Sequence, residues 1–122
     1  MDSSYQNNLT ATAGGLQLGA TPITRTYSRF TTVVTAGDSA VLPPAGPGLE
    51  YIVKNAHATN SMNIFPAAVT QGGFRGDGPN IPAGDSINAL AANAAFALAA
   101  GKAVRFFCVA NNGIWDTLPT IP

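Results

Sequence analysis

Ala89-Leu90-Ala91-Ala92-Asn93-Ala94-Ala95-Phe96-Ala97-Leu98-Ala99-Ala100 is the stretch that decides the fold class. Alanine is the strongest helix former, so propensity alone predicts a helix. The large side chains argue otherwise. Ile87, Leu90, Phe96 and Leu98 make no stripe at helical spacing. Asn88 and Asn93 interrupt the run, Phe96 and Leu98 alternate with alanine at period two, and Gly101-Lys102 turns the chain. The stretch reads as two short strands, with a short helix as the alternative.

Downstream, Ala103 to Ala110 is the strongest strand signal. Val104, Phe106 and Cys108 share one face; Arg105, Phe107 and Val109 share the other. A strand bulky on both faces is covered on both sides. In a small two-layer fold one cover is another subunit, so Arg105, Phe107 and Val109 are the expected subunit interface. Asn111-Asn112-Gly113 suits a hairpin turn, and Ile114 to Leu118 closes the sheet.

Upstream, β-branched or alternating runs predict strands at Thr31–Thr35, Ala40–Leu42, Leu49–Asn55, Met62–Phe65 and Ser86–Leu90. Between them lie turn formers: Gly37-Asp38-Ser39, Gly46-Pro47-Gly48, and a long Gly/Pro loop over 71–80. Ala36-Gly37-Asp38-Ser39 is echoed by Ala83-Gly84-Asp85-Ser86, which is read as shared turn chemistry rather than duplication. About eight short strands with Gly/Pro turns predict an antiparallel β-sandwich or barrel, jelly-roll-like, over residues 27–122. Residues 1–26 are poor in large apolar side chains. They read either as a flexible terminus or as an extended arm that docks on another surface through Leu9, Leu16, Leu18 and Ile23.

Composition narrows the function. Of 122 residues only 10% are charged, against about 25% in typical soluble domains, while 46% are hydrophobic. Disorder and coiled coil are both excluded. Six basic and six acidic residues cancel, leaving no charge excess for a phosphate backbone, so no nucleic-acid partner is expected. No apolar run spans a membrane, and Met1 to Gln6 lacks the features of a signal peptide. Assembly in a reducing cytoplasm is expected, with Cys108 as a small buried hydrophobe. So little charge also suggests a surface largely covered by protein.

No motif for catalysis, metal or cofactor stands out. His57 is the single histidine, in a polar loop with no partner for a triad. Asp38, Glu50, Asp77, Asp85 and Asp116 are isolated, and Asp38 and Asp85 suit turns. Arg75-Gly76-Asp77 is an adhesion triplet, too short to carry a reading by itself. Trp115 could stack on a sugar but is better placed in the core. No enzymatic activity and no cofactor are expected.

Several pieces, in order, carry a likeness: Ala36-Gly37-Asp38-Ser39-Ala40-Val41-Leu42-Pro43-Pro44, Tyr51-Ile52-Val53-Lys54-Asn55-Ala56, Asn63-Ile64-Phe65-Pro66-Ala67, Gly84-Asp85-Ser86-Ile87-Asn88-Ala89-Leu90-Ala91 and Gly113-Ile114-Trp115. Together they resemble a module of bacteriophage head decoration (cement or head-fibre) proteins, also found in some tail-fibre segments, over about residues 28–119. Ala89 stands where glycine is usual in that module, and the 67–83 insertion is longer. The resemblance implies a trimeric β-sandwich on the outer capsid surface of the virion. Such a protein would bind the major capsid protein and stabilise the head by adhesion. The competing expectation is a receptor-binding tip domain of a tail fibre that binds bacterial surface sugar.

Overall fold

A computed structural model describes residues 4–68, 71, 75–76, 82–88, 90–109 and 113–119. The chain forms twelve described strands: β1 (Tyr5–Thr10), β2 (Thr21–Pro22), β3 (Tyr27–Thr32), β4 (Asp38–Val41), β5 (Glu50–Asn55), β6 (Met62–Phe65), β7 (Arg75–Gly76), β8 (Pro82–Ala83), β9 (Ser86–Ile87), β10 (Phe96–Leu98), β11 (Ala103–Phe107) and β12 (Ile114–Pro119).

Successive strands alternate between two sheets. β1, β3 and β5 run parallel in one; β2, β4 and β6 run parallel in the other. Each pair of strands is therefore one coil, and three coils stack. A fourth layer runs in reverse, with β10 antiparallel to β6 and β11 antiparallel to β5. β12 and β9 then extend the first sheet to the order β1-β3-β5-β11-β12-β9, facing β10-β6-β4-β2. β7 and β8 form a separate two-stranded ribbon.

This is an all-β, mostly parallel β-solenoid of about four turns. The expected antiparallel, jelly-roll-like sandwich or barrel is overturned. The cause lies in the turns. Gly37 and Gly48 do adopt positive φ, 93° and 84°, as turn glycines should. They redirect the chain into the opposite sheet instead of reversing it beside the strand just left. A parallel neighbour needs a crossover of a dozen or more residues, and here the crossover contains the strand of the other sheet. The expected function, a sandwich-fold cement protein, is overturned with that fold.

The core lies between the sheets. Phe30, Val53, Val104 and Phe106 point inward from one, and Ala40, Met62, Ile64 and Leu98 from the other; all are buried. Trp115 is fully buried and meets Tyr51 edge to face at 5.7 Å. Cys108 is buried too. The segment expected as an arm supplies the first coil: β1 pairs with β3, β2 with β4, and Ile23 is 1% exposed.

Residues 89–100, read as two strands or a helix, contain one described strand, β10, at the alternating Phe96 and Leu98. The predicted strand 31–35 is shifted: β3 ends at Thr32, and Val33 to Thr35 make the corner into β4.

That corner is held by asparagines. Asn60 Nδ2 donates to the carbonyls of Val33 (2.7 Å) and Val34 (3.1 Å). Buried Asn55 Nδ2 donates to the carbonyls of Asn60 (2.9 Å) and Leu98 (3.1 Å). Three successive layers are thus tied along one corner. His57 belongs to the same corner, its Nδ1 accepting from the amides of Thr59 and Asn60.

Candidate binding face

Register places one row of outward residues across five strands: Tyr5, Tyr27, Ile52, Arg105 and Leu118. Partners in a row share a face, because side chains alternate along each strand. Beside this row lies a second, in which Arg29 is the register partner of Lys54 and Lys54 that of Ala103. On the other side of the first row, Phe107 faces Glu50 and Asp116.

The face divides into two chemically different halves. Around β11, Arg105 is ion-paired with Glu50 and its guanidinium lies 5.9 Å from the Phe107 ring centre. The Arg105 charge is compensated there. Around β1, β3 and β5 an open groove of about 260 Å³ is lined by Tyr5, Asn7, Tyr27, Arg29, Ile52 and Lys54. Tyr5 and Tyr27 are 66% and 47% exposed, unusual for large rings on a sheet with a core to fill.

Local backbone chemistry builds the groove's rim. β1 bulges between Gln6 and Leu9, where Asn8 takes φ 57°, a left-handed conformation that asparagine tolerates. The Asn7 side-chain oxygen accepts from the Asn8 amide (2.8 Å) and from Arg29 Nη1 (3.0 Å). Lys54 Nζ donates to the Gly101 carbonyl (2.7 Å). Both cations are thus aimed by neutral acceptors.

The residues singled out from sequence scatter. Leu9 packs partly against the core, Ile23 is inside it, and Leu16 and Leu18 stand out in solvent at 67% and 62%. Arg105 and Phe107 lie on the compensated half of the face, and Val109 is exposed beyond it. Asp38 accepts locally from the Thr35 amide, but Asp85 reaches across the fold to the Ala45 amide (2.8 Å). Asp77, Asn111 and Asn112 lie outside the described residues.

Glu50 and Asp116 come to share one face, two strands apart, with the Glu50 carboxylate held by Arg105. No cluster of three or more metal-ligating side chains occurs among the described residues. No helix among them is long and apolar enough to cross a membrane.

Sequence reasoning missed Tyr5, Tyr27, Arg29 and Lys54 as a group. The available signal was their spacing. Positions 5, 27 and 52 are one coil apart at each step, within the roughly 20–45-residue repeat of solenoids. In comparison with known proteins the chain matches no family model, no curated protein and no solved structure.

Proposed function

We propose that this chain is a receptor-binding domain of a phage tail fibre that attaches to a bacterial surface glycan. One observation carries the reading: two exposed tyrosines, register partners on adjacent parallel strands, line a groove on the sheet face. Tyrosine rings offer broad apolar contact at low conformational cost and keep a polar tip for hydrogen bonding. The stacked coils hold them without help from mobile loops. An extended sheet surface is the binding element that solenoids provide.

The domain acts by binding, with no reaction catalysed, and works as a homotrimer. Three copies raise the effective concentration of each weak sugar contact. Exposed Val109 and partly buried Phe107 are the candidate subunit contacts.

The test is attachment. Purified protein should bind host cells and compete with phage adsorption, and Tyr5→Ala/Tyr27→Ala should bind at least tenfold more weakly while keeping its circular dichroism. Imaging of labelled protein on intact particles should mark the tail. Label on the head shell, or cell binding unaffected by the double substitution, would overturn the reading.

A further inference from the structure

Arg29 and Lys54 face each other across β3 and β5 on the groove side of the sheet. Facing backbones there are roughly 4.8 Å apart. Like charges on facing residues are destabilising, so folding gives no reason for the pair. Charge is also scarce, with six basic residues in the whole chain. Placing two of them side by side is not the background of a generously charged surface.

Among the described residues neither cation has a carboxylate partner. Arg29 bonds the Asn7 amide oxygen and Lys54 the Gly101 carbonyl. The nearby cation on the same face, Arg105, has its own carboxylate in Glu50. A guanidinium has five donors and an ammonium three, so both keep donors free for a ligand. Their aim is set in advance, which lowers the ordering cost of binding.

We propose that the groove selects an acidic sugar, whose carboxylate, sulfate or phosphate bridges Arg29 and Lys54 while its ring lies against Tyr5 and Tyr27. This rests on the glycan-binding reading above and names the class of glycan. Along a strand, the cation row and the tyrosine row are roughly 6.6 Å apart, close enough for one sugar residue to meet both. A neutral sugar would leave two adjacent positive charges uncompensated beneath it. An anion relieves their repulsion on binding, and a planar guanidinium suits a two-oxygen acceptor.

The experiment measures full-chain binding to matched polysaccharides: polygalacturonate against its methyl ester, dextran sulfate against dextran, and a phosphomannan against mannan. The expected result is a preference of at least tenfold for one or more acidic members. That preference should fall about tenfold in Arg29→Gln and in Lys54→Gln, survive in Arg29→Lys/Lys54→Arg, and weaken as salt rises from 0.05 to 0.5 M, as screening requires. The three pairs distinguish the kinds of anion. Equal binding of neutral and acidic members, lost in Tyr5→Ala, would overturn the acidic preference and leave the glycan reading standing. Acidic binding unchanged in the double glutamine variant would overturn the assignment to these two residues. A DNA oligonucleotide bound as tightly as any sugar would overturn the sugar itself. Binding to no glycan of either kind, with host-cell attachment also absent, would overturn both readings.

Discussion

Arg29 and Lys54 are register partners on adjacent parallel strands, and each bonds a neutral oxygen rather than a carboxylate. Their juxtaposition is a cost to the fold. Lys54→Gln should therefore leave the unfolding free energy measured in urea unchanged or raise it, by up to about 0.5 kcal/mol. A loss above about 1 kcal/mol would mean that the pair is structural.

Trp115 has no solvent exposure and stacks edge-on against Tyr51. Trp115→Ala should cost about 3–5 kcal/mol in urea unfolding, much of a small domain's total of about 5–15 kcal/mol. Its Nε1 is buried with no hydrogen-bond partner among the described residues. Trp115→Phe removes that orphan donor, which offsets part of the lost packing. It should therefore cost less than half as much as the alanine change.

Gly84 is tightly enclosed. A Cβ there would meet Asn93 Oδ1 at 1.9 Å and the Ala67 carbonyl oxygen at 3.0 Å. The asparagine side chain can swing away, giving up its bond from Gln17. The Ala67 oxygen is less free, because it accepts the Asp85 amide at 2.9 Å. Gly84→Ala should cost about 1–3 kcal/mol. Adding Asn93→Gly should recover part of this, since Asn93 sits at φ 67°, where glycine is unstrained. No recovery in thermal unfolding of the double variant would place the strain elsewhere.

Asn55 is fully buried and satisfies three backbone groups, the carbonyls of Asn60 and Leu98 and the amide of His57. Asn55→Ala should cost about 2–4 kcal/mol, from orphaned backbone groups at about 1–3 kcal/mol each with partial relief by water. Asn55→Asp should cost at least as much, because a carboxylate cannot donate to the two carbonyls. Amide hydrogen exchange should quicken first at the Asn55–Asn60 corner. Uniform quickening across the chain would show that the corner is not a separate element.

Much of the strand content was legible. Period-two alternation marked Leu49–Asn55, Met62–Phe65 and Ala103–Ala110 close to β5, β6 and β11, because alternation reports which side chains a sheet buries. Trp115 and Cys108 were legible as core for their residue type and apolar neighbours. The candidate site was not legible. Tyr5, Tyr27, Arg29 and Lys54 belong to three strands separated by whole coils, and no local pattern joins them.

The sequence by itself determined that this chain is built of short strands broken by glycine and proline, with aromatic and aliphatic residues alternating into one core. Which strands pair, and in which direction, only the tertiary structure decided. A strand that buries alternate residues carries the same pattern whether its neighbour runs parallel or antiparallel. A glycine at positive φ bends the chain equally well into a hairpin or around a corner. Direction was set by contacts between distant residues, Phe30 beside Asn55 and Ala40 beside Ile64, whose closure cost grows slowly with separation and is offset by the core that the stacked coils bury. The same stacking brought two tyrosines and two cations held by neutral oxygens onto one face.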